Sequence, residues 1–345
     1  QLANNELTYE KKHELNFGID AGFLNNRINF TFDIYSRRNY DLIGVINTQG
    51  TGGEPRKYGN VAKMKSNGVE IALNTVNIKT KDFTWTTDLI YSHMHNEVTE
   101  LNTLNRMYDY ISGSGFTMPG YPQRSLFSIP FMGLNNEGLP TFLDQDGNVS
   151  VTGINMQEYD PEKLKFLKYE GPTDPTDVGS LGNVFRYKGV TLNLFITYSF
   201  GNVVRLDPVF SSSYSDLTAT PKEFKDRWVK PGDENFTNVP VIASKQQLNN
   251  IAYLSTAYQA YNYSTERVAK GDFIRMKEIS LGYEFPKSIT QPLRLSNLSL
   301  KLMATNLFLI YADKKLNGQD PEFFNAGGVA NPMPKQFTLT LKLGI

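Results

Sequence analysis

Trp228, Tyr253, Tyr258, Tyr261 and Tyr263 fall in one stretch of the chain among serines, threonines and asparagines. Aromatic faces beside adaptable hydroxyl and amide groups suit sugars or peptides at a wet interface. These five are therefore the candidate substrate- or partner-binding residues, and the alternative is a stretch that packs on itself. Asp144-Gln145-Asp146-Gly147-Asn148 opens like a calcium loop, but Asn155 stands where the twelfth-position glutamate is needed. A tight Asp-Gly turn explains it better. His93 and His95 share one face of a strand without a third ligand in view, so they read as polar residues near a rim or lumen rather than as a metal site. Glu14, Asp20, Asp33, Glu70 and Asp88 recur on polar strand faces with no nucleophile and base that can be singled out. No catalytic residue, metal, cofactor or enzyme activity is expected from these residues.

The elements that must position these residues are strands. Leu15, Phe17, Ile19, Ala21 and Phe23 alternate with Glu14, Asn16, Gly18, Asp20 and Gly22, and after Leu24-Asn25-Asn26 the phase resumes at Ile28, Phe30, Phe32 and Ile34. That is a hairpin with one apolar and one polar face. The pattern returns at Val69, Ile71, Leu73, then at Phe83–Tyr91, at Val190–Phe200 and at Phe337–Ile345. Leu194 and Leu341 lie on the apolar phase, Thr197 and Thr340 on the opposite one. Alternation over about ten residues matches a bilayer-crossing strand better than a sandwich strand of about five or six. With weaker strands at Ser125–Gly133, Leu139–Leu143, Leu181–Tyr187, Phe273–Phe285 and Leu298–Ile310, the count reaches about eleven.

Short turns near Asn25, Asp82 and Lys188 alternate with long polar segments at about 39–66, 96–124, 144–180, 205–271 and 312–335. Outer-membrane barrels have this asymmetry, with short periplasmic turns and long extracellular loops. An odd strand count that starts outside ends inside. Thr220-Pro221-Lys222-Glu223 reads as a capping box with proline at the first helical position, so the longest loop should hold a short helix ending before Pro231-Gly232.

Composition agrees. The 345 residues hold 22 Phe, 19 Tyr and 27 Gly with 20% charged residues, a strand-favouring mixture. Lys plus Arg equals Asp plus Glu at 35 each, so no net field draws the chain to nucleic acid. There is no cysteine for disulfides or thiolate zinc sites, and no apolar run approaches the ~18 residues of a membrane-spanning helix.

Several segments resemble the SusC/RagA branch of the TonB-dependent transporters: Gly59-Asn60-Val61, Met64-Lys65-Ser66-Asn67-Gly68-Val69-Glu70, Asn77 through Trp85, Phe185-Arg186-Tyr187-Lys188-Gly189, Phe273 through Tyr283, Asn306-Leu307-Phe308 and Asp320-Pro321-Glu322. Their order and spacing cover nearly the whole chain. The resemblance implies a transmembrane antiparallel β-barrel of the roughly 22-stranded, plugged class, of which residues 1–345 would form the C-terminal half. The plug, the TonB box and the early strands are then expected upstream. The chain closes on Ile345 where the resemblance implies an aromatic residue. It further implies residence in the outer membrane of a Gram-negative bacterium, a SusD-like surface lipoprotein as a lid, energy from the TonB complex, and import of an oligosaccharide or oligopeptide. A passive porin or an adhesin on the same barrel is the alternative.

Overall fold

The computed structural model describes residues 5–345 except 49, 51, 52, 54, 102–104, 113, 114, 211–220 and 325–332. Nine antiparallel strands form one sheet in chain order, each bonded to its neighbours in sequence along the wall. They are β1 (Lys11–Phe23), β2 (Ile28–Asn47), β3 (Arg56–Lys79), β4 (Phe83–Leu101), β5 (Asp177–Tyr187), β6 (Val190–Phe200), β7 (Phe273–Glu284), β8 (Asn297–Ala312) and β9 (Gln336–Gly344). The edges of this curved wall are β1 and β9.

Register turns the alternation of each strand into two continuous faces. Ile19, Phe32, Ile71 and Tyr91 align in one row. Leu192, Leu281, Leu302 and Leu339 align in another. On the opposite phase Asp33 pairs with Glu70 and Glu70 with Ser92. There Thr31 Oγ1 donates to Asp20 Oδ1 at 2.7 Å and Asn193 Nδ2 to Glu278 Oε1 at 3.1 Å. Leu15, Phe17, Leu339 and Leu341 stand exposed on the apolar face. An apolar surface of this extent is what hydrocarbon covers. Aromatic residues flank it: Trp85 stacks on Phe185 at 5.6 Å near the short turns, and Tyr198 meets Phe200 at 5.9 Å near the other end. Trp85 also donates to Asn183 Oδ1 at 2.9 Å, the half-apolar, half-polar role that suits a ring at a membrane boundary.

One end of the wall carries the short connections 24–27, 80–82 and 188–189, with a somewhat longer one at 285–296. From the other end leave 48–55, 102–176, 201–272 and 313–335. The asymmetry read from the sequence is present, but its bounds move. β2, β3 and β4 run to 20, 24 and 19 residues, so most of 39–66 and the start of 96–124 are strand. Beyond the apolar band, cross-strand ion pairs replace the alternation: Lys65–Glu97 at 2.9 Å, Lys63–Glu100 at 2.7 Å and Arg37–Glu14 at 3.1 Å. A period-two apolar signal marks only the part of a strand that meets lipid.

The expected count of about eleven is corrected to nine in the wall. The segments at 125–133 and 139–143 do form strands, but Ser125–Ser128 pairs with Lys168–Pro172, and Phe131–Leu134 joins Pro140–Leu143 and Val149–Ser150 in a separate small sheet. All four residues of Ser125–Ser128 are buried, so this strand belongs to a core and not to a two-faced wall. Nine is also odd, and β9 runs toward the short-turn end.

Two glycines, Gly68 of the family segments and Gly138, have steric reasons. A Cβ on Gly68 would stand 2.4 Å from the Tyr35 hydroxyl and 2.7 Å from the His93 carbonyl. The Tyr35 ring lies against that bare backbone, with the Arg37 guanidinium 4.0 Å from its centre. Gly138 (φ +74) supports the Trp228 ring, which a Cβ would approach to 2.4 Å.

Leu194 lies midway along β6, between Tyr187 at the turn and Tyr198. Leu194→Arg is expected to lower refolding stability in lipid vesicles by about 2–4 kcal/mol, because the guanidinium meets hydrocarbon near mid-depth. Thr197→Arg, on the opposite phase, is expected to cost much less. A larger penalty for Thr197→Arg than for Leu194→Arg would mean that the two faces are reversed, and equal penalties that neither face meets lipid alone.

Candidate functional site

The excursions 102–176 and 201–272 fold together. Met107 and Ile111 of α1 (Met107–Ile111), Ile129, Phe142, Val209, Phe210 and Leu254, Ala257, Tyr258 and Tyr261 of α4 form one buried cluster, where α4 is Leu254–Asn262. Between these helices in sequence lie α2 (Pro161–Leu164) and α3 (Lys245–Asn250). α4 follows from its sequence: Leu254, Ala257, Tyr258 and Tyr261 recur at i, i+3, i+4 and i+7, an apolar stripe of helical period. That stripe competes in the sequence with the suitability of the same tyrosines for ligand contact. Ser244 and Gln247 form a capping box ahead of α3, a second signal that was available. Thr220 of the expected capping box lies outside the described residues. Lys222–Asp226 is a short 3₁₀ segment with Pro221 at its N-cap.

Two arginines, Arg205 and Arg267, pin this cap, and a third, Arg275, holds Asp320 and Glu322 to the wall. Arg205, half-buried, donates from Nη1 to Ser128 Oγ and the Ser264 carbonyl, both at 3.0 Å, and from Nη2 to the Phe127 carbonyl at 2.6 Å. Burial lowers its pKa to about 10, which still leaves it cationic at neutral pH. Arg267 pairs with Glu223 and donates to the Asp207 carbonyl at 2.6 Å. Arg275 of β7 reaches Asp320 at 2.5 Å and Glu322 at 3.3 Å, with Asp320 fully buried. Two segments far apart in sequence, Phe273–Tyr283 and Asp320-Pro321-Glu322, thus meet through one ion pair.

The five aromatic candidates separate. Tyr261 is 0% exposed and Tyr258 is buried with its hydroxyl donating to the Val241 carbonyl at 2.5 Å. Trp228 is buried on Gly138 and donates to Glu234 Oε2 at 2.8 Å, which holds that carboxyl below its ordinary range. These three rings are core, so for them the self-packing alternative describes the arrangement. Tyr263 is half-buried and meets the Tyr108 ring edge-on at 5.9 Å. Desolvation pushes the Tyr263 phenol up to about 12 and the Tyr261 phenol higher still, so both are neutral. Tyr253 alone is widely exposed, at 74%.

Tyr253 borders an open cleft of about 580 Å³ between the two excursions, with Tyr108, Arg106, residues 152–157, Thr256 and Gln259. It caps α4 in the left-handed region (φ 62, ψ 15), a costly conformation for a bulky side chain. Tyr253, Thr256 and Gln259 occupy the helix face opposite the core stripe. Arg106 donates to both carboxylate oxygens of Asp109, at 3.3 and 3.0 Å, and to Gln157 Oε1 at 3.2 Å. Burial alone would raise Asp109, but the Arg106 bonds outweigh it and hold the carboxyl below its ordinary range. Among the described residues that line the cleft, Arg106 is the one cation, and it is ion-paired with Asp109.

Asp144-Gly147 is a tight turn: Asp144 Oδ1 accepts from the N–H groups of Asp146 at 3.0 Å and Asn148 at 2.9 Å. His93 and His95 lie on the apolar phase at the excursion end of the wall, and not on the lumenal phase; His93 Nδ1 sits 2.8 Å from Asp177. Among the described residues no three His, Cys, Asp or Glu converge on a metal position.

Residues 1–220 match the family described as TonB dependent receptor-like, beta-barrel. TonB-dependent receptor P39 of Formosa agariphila is 26% identical over 96% of the chain, which covers 34% of that protein. TonB-dependent receptor SusC of Bacteroides thetaiotaomicron is 27% identical over 99% of the chain, 32% of its own length. The RagAB peptide transporter structure superposes over 99% of the chain and 36% of its own, with a TM-score of 0.74 at 24% identity, which shows the same fold. The chain thus spans about a third of the length of the relatives it matches.

Tyr261→Ala is expected to cost the cap about 3–5 kcal/mol by leaving a cavity in its core. Limited proteolysis should then cut the excursions while the wall stays protected. Tyr253→Gly should instead leave the cap intact or stabilise it by about 1 kcal/mol, since glycine adopts the left-handed conformation freely. Proteolytic sensitivity in both variants would mean that Tyr253 is a packing residue.

Proposed function

The chain belongs to the TonB-dependent receptor-like β-barrel family, whose members are outer-membrane proteins of Gram-negative bacteria, and on that premise we propose that it forms the C-terminal part of an importer of an oligomeric nutrient. In this reading further strands pair with the free edges of β1 and β9, because hydrocarbon does not tolerate an unpaired strand edge. A plug closes the barrel, and TonB supplies the energy. A SusD-like surface lipoprotein covers the mouth. The similarity to SusC and to the RagAB peptide transporter supports such a partner, and the latter keeps peptide beside glycan as substrate class.

The observation that carries the reading is the packed cap. A passive pore needs an open mouth, whereas here two excursions hold a shaped surface through a common hydrophobic core and the bonds of Arg205 and Arg267. That surface also offers apolar groups with nothing to cover them. Phe236 is 90% exposed and Val229 68% exposed on one short loop of the second excursion. Such residues suit contact with a protein lid.

The test uses the full-length polypeptide expressed with its lipoprotein in cells with and without TonB. Uptake of the nutrient should fall to background without TonB, and undiminished uptake would favour a porin. Replacing Phe236 and Val229 together by Ser is expected to reduce co-purified lipoprotein about tenfold or more, since each large apolar side chain buried contributes about 1.5–3 kcal/mol. Unchanged co-purification would remove this loop from the lid contact.

A further inference from the structure

His93 and His95 lie on the lipid-facing phase of β4 and border a hollow of about 390 Å³ on that face. Leu15, Phe17, Ile34 and Val69 give it apolar walls, and Ser36 and Asn67 line it beside the bare backbone of Gly68. We infer that this hollow seats a phosphate-bearing lipid of the outer leaflet. An acyl chain lies against Phe17, Ile34 and Val69, and the headgroup meets Arg38, His13 and His95. This goes beyond the import reading and needs only that the wall spans the outer membrane with its long connections outside.

The first support is depth, measured along each strand from its short-turn end. Phe23 to His13 on β1, Ile28 to Arg38 on β2 and Trp85 to His95 on β4 are each ten residues. At about 3.4 Å per residue and a tilt of about 40°, ten residues rise about 26 Å, the height of the apolar band of a transmembrane barrel. His13, Arg38 and His95 therefore stand together at the outer headgroup level. Barrels ordinarily carry Trp and Tyr at such a boundary, as this wall does with Trp85 at its opposite end. Here imidazoles and a guanidinium take that place.

The second support is charge. The other cations of this outward patch are matched: Lys65 by Glu97 at 2.9 Å, and Lys63 by Glu100 and Lys11 by Asp41, both at 2.7 Å. Arg37, one residue on but facing inward, is taken by Glu14 at 3.1 Å. Arg38 is exposed and has no carboxylate partner among the described residues. The nearest outward carboxylates, Glu97 and Asp177, are engaged by Lys65 and by Tyr91 and His93. His13 stands directly opposite Arg38 in the register, and exposed His95 stands two strands away at the rim of the hollow. A guanidinium flanked by imidazoles, each with an N–H donor in either charge state, suits the acceptor oxygens of a phosphate. With hydrocarbon-facing walls directly below, the phosphate that fits is one that carries an acyl chain.

The experiment places the full-length transporter, purified with its lipoprotein, in detergent micelles doped with bisphosphorylated lipid A or with its dephosphorylated form. Native mass spectrometry then counts the lipids retained, and heat-dependent gel mobility confirms that each variant is folded. The phosphorylated lipid should be retained with about tenfold preference, the scale of one charge-assisted hydrogen bond. Arg38→Gln combined with His13→Gln should abolish the preference. Ser36→Trp should displace the lipid by filling the hollow, and Lys79→Gln at the short-turn end should change nothing. Equal retention of the two lipids, or a preference indifferent to both the double variant and Ser36→Trp, would overturn the inference. Displacement of the lipid by inorganic phosphate would also overturn it, since the patch would then be an ion site only. TonB-dependent uptake is measured separately, so the import reading stands or falls independently of these results.

Discussion

A bilayer offers the backbone no hydrogen-bond partner, and everything else in this chain follows from that constraint. Each of the nine wall strands must satisfy its N–H and C=O groups through its neighbours. The side chains are then left with a single freedom, to face out or in. The outward phase becomes leucine, isoleucine, phenylalanine and, at the borders, tryptophan and tyrosine. The inward phase becomes asparagine, threonine, aspartate and glutamate, bonded across strands.

The same constraint displaces chemistry from the wall. A strand residue has fixed neighbours and only two directions, so irregular surfaces must be made where the chain leaves the membrane. Residues 102–176 and 201–272 do this by building a small globular core of their own. Their described residues are held together by packing, by Arg205 between three acceptors and by Arg267 with Glu223. Arg275 with Asp320 ties the excursion at 313–335 to the wall. A buried ion pair of this kind adds little net stability but strongly penalises any arrangement that separates it. It therefore fixes where the loop sits.

Specific recognition then falls to the few cap residues that packing leaves free. α4 shows the division on one helix: Leu254, Ala257, Tyr258 and Tyr261 face the core, while Tyr253, Thr256 and Gln259 face the cleft. Tyr258 and Tyr261 share the buried stripe of the helix, whereas Tyr253 precedes it as a left-handed N-cap and is left exposed.

The strand alternation, the position of the short turns and the order of the family segments were all legible in the sequence. Those features depend on local period and on which residues a tight turn accepts. The extent of β2, β3 and β4 was not, because past the lipid the strands are held by ion pairs such as Lys65–Glu97 that leave no apolar period. The two supposed wall strands at 125–143 were misplaced because a short apolar run does not say which surface will cover it. For the site, composition correctly indicated an aromatic-rich excursion but could not separate Tyr253 from Tyr258 and Tyr261. Which tyrosine meets solvent is set by contacts between segments more than a hundred residues apart, as where Tyr261 meets Phe131 at 5.5 Å. Residue type determined what these rings could do, and only tertiary packing decided which of them is free to do it.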